Sequence, residues 1–196
     1  MKAEYIPVWK QVTPELAAEL IEFWRENKAI GNEANAAARA MQAVSVARDE
    51  DGALCGVCTA VIKVLPRLRQ PMYYFRQYFA KRMRGRNHIQ SFHMRAKGIL
   101  EDFNAALDKP ESLGILLELE NAKLANVYNR AYEPEFDSTF IGYSPQGLVL
   151  RVSYFKDAVL QAPAPLRVPA AVGMRRARAN AARPAPTIPR HGNVRS

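Results

Sequence analysis

Apolar residues recur along the chain with two different spacings, and each spacing predicts a different kind of element. Near the N-terminus they return every three or four positions, which is the period of a helix buried on one face: Leu16, Leu20, Phe23 and Trp24. Thr13 can cap this helix, Pro14 suits its first turn, and Gly31 supplies a stop. The pattern therefore predicts a helix from Pro14 to about Lys28.

The other elements follow from the same two periods. Helical spacing predicts a long helix, whose stripe contains Ile89, Phe92, Ala96, Ile99, Leu100, Phe103 and Leu107, and two shorter helices, Glu33 to Met41 and Asn121 to about Tyr132. Extended patterns predict strands at Tyr5 to Val12, Val44 to Ala47, Leu54 to Val64, Met72 to Phe79, Gly114 to Glu120 and Leu148 to Phe155. Asp51-Gly52 and Ser144-Pro145-Gln146-Gly147 are turn signals, and a further strand is predicted before the second turn. This order predicts an α/β or α+β fold, one sheet with helices on both faces.

Charge singles out the junction between the strand that ends at Phe79 and the helix that follows. Between Asp51 and Glu101 the chain has ten Lys and Arg and no carboxylate, and four of the ten lie in Lys81-Arg82-Met83-Arg84-Gly85-Arg86. Cations in the first turn of a helix oppose the positive end of its dipole, so they destabilise it unless an anion binds there. The junction is therefore predicted to be half of a binding site, with a phosphate as its ligand.

The next part of the chain has the opposite charge. From Glu101 to Asp137 there are nine carboxylates against Lys109, Lys123 and Arg130. A basic part followed by an acidic part fits an anionic ligand that meets a cationic one. Ordinary solvated surface charge explains the same pattern, and the sequence alone leaves both explanations open.

Length and composition predict one folded domain and a tail. The 196 residues are enough for one well-buried core, which we place at residues 1–160. Residues 161–196 hold seven Arg, six Pro and no acidic residue, without periodicity, and are predicted to be a disordered tail. That tail carries seven of the formal +9 charge. The longest apolar run, Ala53 to Leu65, is too short to cross a bilayer, so a soluble, cytoplasmic protein is expected.

Cysteine and histidine positions give no metal site. Cys55 and Cys58 have the spacing of a zinc or redox pair, but no second pair or histidine lies nearby in the sequence, and two reduced, buried thiols are expected. His88 and His93 are five residues apart on one predicted helix and so do not share a face.

Four segments of the chain resemble the GNAT superfamily of N-acetyltransferases, across roughly Tyr5 to Phe155. Asp49 to Gly56 looks like the acidic turn and glycine-bearing strand of that family, and Tyr78 to Arg86 looks like its fourth strand and pyrophosphate loop. Glu120-Asn121 looks like the end of its fifth strand, and Tyr128 looks like the tyrosine that protonates the departing thiolate. The pyrophosphate loop departs from the family's pattern in either register. If Arg84 takes the first place, Asn87 and Ile89 stand where small residues are usual; if Arg82 does, Gly85 fits and Asn87 does not.

The resemblance implies a GNAT-like mixed, mainly antiparallel sheet and a direct transfer of an acetyl group from acetyl-CoA to an amine. The acceptor would be a small-molecule or peptide amine. By the same resemblance, acetyl-CoA would be held by Tyr78, Phe79, Arg82, Arg84, Gly85, Arg86, Asn87 and Asn121. Tyr128 would be the acid, and Glu118 or Glu120, which point to one face of their strand, would be the base.

A binding function is the alternative. The aromatic residues of Met72 to Phe79, interleaved and followed by Arg and Lys, could stack bases and neutralise nucleic-acid phosphates, and the tail could add weak non-specific contact. A GNAT-like domain without catalysis would fit the same sequence. Aromatic residues on both faces of one strand favour core packing instead.

Overall fold

The computed structural model describes residues 3–83 and 88–165. The helices are α1 (Pro14–Glu26), α2 (Glu33–Ala40), α3 (His88–Ala105) and α4 (Ala122–Val127), and short 3-10 turns lie at Lys81–Met83 and Pro134–Phe136. The strands are β1 (Glu4–Pro7), β2 (Ala43–Arg48), β3 (Leu54–Val64), β4 (Pro71–Phe79), β5 (Gly114–Leu119), β6 (Tyr132–Glu133), β7 (Ser138–Tyr143) and β8 (Val149–Tyr154). The predicted order of elements is confirmed, with β6 added.

These strands form one sheet in the order β1-β2-β3-β4-β5-β8-β7-β6. Neighbours are antiparallel except β4 and β5, which run parallel because α3 crosses between them. The mixed, mainly antiparallel sheet predicted from the resemblance is therefore confirmed. The parallel pair lies at its centre, where both strands are covered on both faces.

Helices cover both faces of the sheet, as predicted. The α3 face is packed by Phe92, Ala96 and Leu100, which meet Tyr73, Phe75 and Phe79 of β4 in one buried cluster. The opposite face is packed by Leu20, Phe23 and Trp24 of α1 together with Ala36 and Ala40 of α2. The aromatic residues of β4 thus serve the core on both faces, and Tyr73, Tyr74, Phe75 and Phe79 are all buried. Those four rings have no exposed face on which a base could stack.

Two predicted boundaries near the N-terminus are wrong. The first strand ends at Pro7 instead of Val12, because the chain turns there and Lys10 adopts a left-handed φ of 61°. The first helix begins as predicted, with Thr13 capping it, but ends at Glu26. Asn27 donates its side-chain amide to the carbonyl of Phe23, and Lys28 takes the left-handed position (φ 51°) that was assigned to Gly31.

The helix predicted from Asn121 to Tyr132 is also too long, since α4 ends at Val127 and Tyr128 is its C-terminal cap. The residues beyond it are held by other partners. Glu133 accepts a hydrogen bond from the Arg130 amide at 2.8 Å, and Tyr132 and Glu133 pair with β7. A local side-chain hydrogen bond and the short β6–β7 pairing therefore replace the predicted last turns of this helix.

Residues 161–165, which the sequence assigns to the tail, still contact the domain. The Gln70 side chain donates to the Gln161 carbonyl at 2.9 Å and accepts from the Gln161 backbone amide at 2.9 Å. The Ala164 amide donates to the Arg69 carbonyl at 2.9 Å, and Arg69 Nε donates back to the Ala164 carbonyl at 2.8 Å. The predicted tail beyond Pro165 lies outside the described residues. None of the helices in residues 3–83 and 88–165 could span a bilayer.

Candidate functional site

The central strands β4 and β5 pair for only three residues and then separate. Their parallel register runs from Tyr73 opposite Ile115 to Phe75 opposite Leu117. Beyond Phe75, β4 continues to Phe79 in register with β3 alone, and beyond Leu117, β5 continues in register with β8 alone. The separation leaves a gap in the middle of the sheet, lined by two strand edges whose backbone polar groups need partners.

A cavity of about 700 Å³ fills this gap and reaches both faces of the sheet. Successive residues of a strand point to opposite faces, yet Phe75, Arg76, Gln77, Tyr78 and Phe79 all line this one cavity. On the α1 and α2 side it is bounded by Trp24 and Arg39, among others, and on the α3 side by His93, Tyr128 and Arg151. Two reactants can therefore meet in the gap after entering from opposite faces.

The backbone of β4 offers a hydrogen-bond donor inside the gap. The Tyr73 amide points toward β5, because it donates to Ser112 Oγ at 3.1 Å just before that strand begins. Strand amides two residues apart point the same way, and the register of β4 with β3 has no shift. The amide of Gln77 therefore faces the gap. The side-chain amide of Gln77 donates to the Ile89 carbonyl at 3.1 Å and fixes the start of α3 to this strand.

Glu118 lies in the cavity on the α1 and α2 side, but its carboxylate is already engaged. Tyr74 donates its hydroxyl to Glu118 Oε2 at 2.5 Å. Burial by itself would raise the pKa of Glu118, but hydrogen bonds from Tyr74 and Ser144 and the charges of Lys63 and Arg76 together hold the pKa below its usual value. A carboxylate stabilised in this way is a weak base.

Glu120 follows the end of β5 and also lines the cavity. Its Oε1 lies 3.6 Å from Nε of Arg76, which is close enough for an ion pair but too long for a hydrogen bond. Its side chain is 65% exposed. Compared with Glu118, it keeps more of its oxygen lone pairs available to a water molecule or a substrate ammonium group.

Tyr128 lies on the α3 side of the gap, at the C-terminal cap of α4. Its ring packs edge-on against Phe136, with centroids 4.8 Å apart. Burial, reinforced by the negative charges of Glu135 and Glu133, raises the pKa of Tyr128. The hydroxyl therefore stays protonated at neutral pH and can act as a proton donor.

Arg151, which the sequence did not single out, anchors the segment that carries Tyr128. This buried guanidinium donates to the carbonyl oxygens of Arg130 at 2.8 Å, Ser138 at 3.0 Å and Tyr128 at 3.5 Å. Its Nε also donates to Ser138 Oγ at 3.1 Å. Because Arg151 is on β8, it ties the chain after α4 to the rigid sheet. An arginine in an alternating strand gives no sequence signal of this role.

His93 was also missed as a residue of the cavity. It is 2% exposed, stacked edge-on between Phe75 and Phe136, and its Nε2 has no hydrogen-bond partner among the described residues. Burial and the nearby charge of Lys97 lower the pKa of His93 to about 4. The ring is therefore neutral near pH 7.

The predicted acetyl-CoA-binding residues fall into three groups. Tyr78, Phe79 and Asn121 line the cavity, and Asn121 also caps α4 by accepting the Lys123 amide at 2.9 Å. Arg82 does not line it: its guanidinium donates to Asp49 Oδ2 at 2.7 Å and to the Leu54 carbonyl at 3.0 Å. Arg84, Gly85, Arg86 and Asn87 lie outside the described residues.

The two cysteines have no part in this site. Both are buried, unbridged thiols on β3, as predicted, and donate to the carbonyls of Ala47 and Ser45. Burial raises the pKa of Cys58, so its thiol stays protonated. Among the described residues, no group of three or more His, Cys, Asp and Glu side chains is placed to hold a metal ion.

Solved structures of GNAT-superfamily acetyltransferases share this fold. A GNAT superfamily phosphinothricin acetyltransferase from Sinorhizobium meliloti, in complex with AcCoA, matches with a TM-score of 0.58 at 15% identity, over 83% of this chain and 94% of that chain. A structure described as histone acetyltransferase HPA2 and related acetyltransferase, from Corynebacterium glutamicum, matches with a TM-score of 0.50 at 17% identity, over 82% of this chain and 100% of that chain. A further structure, described as a bacterial toxin, matches with a TM-score of 0.53 at 14% identity, over 78% of this chain and 90% of that chain.

No protein-family model matches the chain, and no curated protein sequence is detectably similar to it. At these identities the structural matches establish the fold alone. The resemblance drawn from the four sequence segments is confirmed at that level: the chain has the GNAT fold.

Proposed function

We propose that this GNAT-fold chain is an N-acyltransferase that moves the acetyl group of acetyl-CoA to an amine by direct attack. The observation that carries the proposal is the gap between β4 and β5, which opens on both faces of the sheet. An acyl-CoA carries amide groups along its arm, and the two unpaired strand edges offer them backbone donors and acceptors. The basic sequence before α3 supplies cations for its phosphates.

The reaction needs no covalent enzyme intermediate. Acetyl-CoA supplies an activated carbonyl carbon; the amine nitrogen forms a bond to that carbon, and the carbon–sulfur bond breaks. The Gln77 amide donates a hydrogen bond to the carbonyl oxygen as its negative charge grows. Glu120, directly or through water, takes the proton that the substrate ammonium loses before attack, and Tyr128 gives a proton to the sulfur. The second proton, which leaves the nitrogen as the amide forms, restores the Tyr128 hydroxyl through solvent.

We propose a different part for Glu118. Its carboxylate binds the Tyr74 hydroxyl and lies beside the Lys63 and Arg76 charges, which together depress its pKa. We infer that Glu118 holds the orientation of Tyr74 and Arg76 at the mouth of the gap. It acts as a positioning residue, while Glu120 is the base.

Binding of acetyl-CoA tests the proposal before any acceptor is known. A ligand at 100 times its Kd that binds only the native chain raises the free energy of unfolding by about 2.7 kcal/mol. The melting temperature should therefore rise saturably with acetyl-CoA. Arg84→Ala together with Arg86→Ala should remove most of this rise, whereas Arg95→Ala, which removes an exposed cation of α3 that does not line the cavity, should keep it. A wild-type chain that does not respond overturns the proposal.

Two matched variants then distinguish the carboxylates. With an amine that is acetylated, Glu120→Gln should lose on the order of 100-fold in turnover, while binding of acetyl-CoA is retained. Glu118→Gln should act mainly through the acceptor's KM, since it disturbs Tyr74 and Arg76. The reverse result would make Glu118 the base.

A further inference from the structure

A second cavity, of about 480 Å³, adjoins the gap on the α1 and α2 side of the sheet. Both cavities are lined by Arg39 at the end of α2, Arg76 on β4 and Glu120 after β5. The second is completed by Lys63 of β3, with Asn35 and Gln42 beside it. We call it the cationic pocket, because three of its lining residues are cations and one is a carboxylate.

The positive charge of this pocket is only partly compensated by the protein, because three cations face Glu120 in the pocket and Glu118 beside it. Among the described residues, neither Arg39 nor Lys63 forms an ion pair with a carboxylate, and Lys63 Nζ instead lies 3.6 Å from the centroid of the Tyr74 ring. Arg76 Nε is also buried and has no hydrogen-bond partner among the described residues; it lies 3.6 Å from Oε1 of Glu120. Arg39 is favoured by the C-terminal end of α2, and Arg76 forms an ion pair with Glu120, but neither contact accounts for Lys63.

The electrostatic consequences agree with that geometry. Burial and then the charge of Arg76 lower the pKa of Arg39. Burial, with the charges of Arg76 and Arg39, likewise lowers the pKa of Lys63. The carboxylate of Glu118 opposes these effects at Lys63, and that of Glu120 opposes them at Arg39. Three cations therefore stand against two carboxylates, and an anion would offset the positive charge that is left.

We propose that the cationic pocket binds an anionic group, a carboxylate or a phosphate, carried by the amine that accepts the acyl group. That this amine accepts an acyl group rests on the function proposed above. Guanidinium groups bind carboxylate and phosphate oxygens through paired hydrogen bonds, and Arg39 and Arg76 both line the pocket. Glu120 lines the pocket and the gap together, so a bound anion leaves the amine of a small acceptor beside the base and directed into the gap. The acceptor class is therefore a small zwitterionic amine.

Matched pairs of amines test this proposal. With the full chain and saturating acetyl-CoA, the probes are phosphoethanolamine against ethanolamine and 4-aminobutyrate against n-butylamine. The member with the anion should have a kcat/KM at least roughly tenfold higher, as expected for one charge-assisted interaction. The pair that shows the larger ratio identifies phosphate or carboxylate as the preferred group.

Substitutions connect the preference to the pocket. Arg39→Gln and Lys63→Gln should each reduce the anionic-to-neutral ratio toward one, while Arg95→Gln, an exposed cation of α3 outside the cavities, should keep it. Arg76 is less suitable, because it also contacts Tyr74 and Glu120. Equal rates for the two members of each pair, or a preference that survives both substitutions, overturns the proposal.

A binding measurement keeps the result independent of catalysis. With CoA present to fill any phosphate site before α3, phosphoethanolamine or 4-aminobutyrate should raise the melting temperature more than its neutral counterpart at equal ionic strength. The increment should disappear in Arg39→Gln. Absence of stabilisation by acetyl-CoA would contradict only the proposed function, whereas absence of this anion-dependent increment contradicts the cationic pocket.

Discussion

Replacing His93 should flatten the pH dependence of stability on the acid side of neutrality. The buried ring has a pKa of about 4 in the folded chain against a reference value of 6.5. Because the folded value is the lower one, the unfolded chain binds more protons between these pH values. Stability is therefore greatest above about pH 6.5 and falls as the pH drops toward 4.

The size of this effect follows from the two pKa values. One pKa unit corresponds to about 1.4 kcal/mol, so protonation of His93 in the unfolded chain should destabilise the fold by about 3 kcal/mol at pH 4. The cause is the site itself: two rings, Phe75 and Phe136, enclose the imidazole, and Lys97 adds a like charge. The ion pair with Lys97 keeps the pKa of Asp137 low, so Asp137 should stay ionised over most of this interval.

Urea unfolding at several pH values measures the effect. The wild-type free energy of unfolding should fall by about 3 kcal/mol more than that of His93→Gln between pH 6.5 and 4. His93→Met provides a second, apolar replacement and should give the same difference in slope, even if its stability at pH 7 differs. Parallel curves for the wild type and both variants would refute the assignment of a neutral, desolvated histidine.

Three further predictions concern other parts of the structure. Tyr128→Phe keeps the ring against Phe136, so it should bind acetyl-CoA and melt like the wild type but lose on the order of 100-fold in turnover; full activity in a steady-state assay would return Tyr128 to a packing role. Arg151→Met leaves the buried Ser138 carbonyl and the part-buried carbonyls of Arg130 and Tyr128 without this donor, so it should lower the free energy of unfolding by on the order of 3 kcal/mol, and a loss below 1 kcal/mol would contradict the anchoring role. A chain that ends at Pro165 should keep the full melting temperature. A chain that ends at Leu160 loses the hydrogen bonds of Gln161 and Ala164, so its free energy of unfolding in denaturant should be about 2 kcal/mol lower. Equal stability of the two chains would show that those bonds contribute nothing.

The order of the elements could be predicted because it depends on local patterns. The stripe on α1 and its cap at Thr13 are properties of a few neighbouring residues, and the same holds for the turn at Asp51-Gly52 and the uninterrupted strand Leu54–Val64. Such signals do not require knowledge of what packs against them. They were sufficient for the fold class.

The gap could not be predicted in the same way. It arises because β4 and β5, which are separated by α3 in the sequence, stay in register for three residues only. Nothing in the sequence around Phe75 or Leu117 marks where pairing stops, since residues on both sides of that point have strand character. The end of α4 was missed for a similar reason: Arg151, 21 residues further along the chain, holds the Arg130 carbonyl beyond Tyr128.

The roles of charged residues were also hidden, because a sequence does not show which side chains face each other. Arg82 belongs to the basic cluster in the sequence but is paired with Asp49 in the structure. Arg39, Lys63 and Arg76 are far apart in the sequence but line one cavity. Glu118 and Glu120 were equivalent by alternation, and their surroundings distinguish them: Glu118 accepts the Tyr74 hydroxyl, whereas the Glu120 side chain is 65% exposed.

The most direct test of the account is whether acetyl-CoA enters the gap between β4 and β5. Hydrogen exchange of the Gln77 amide, followed by NMR on the full chain, reports on this strand edge inside the gap. We predict that saturating acetyl-CoA slows this exchange at least roughly tenfold, as expected when an amide gains a hydrogen-bond partner worth about 1.4 kcal/mol, while the amide of Ala60, which already donates to the Gln42 carbonyl at 2.9 Å, changes much less. Binding of acetyl-CoA without any change at Gln77 would contradict the account.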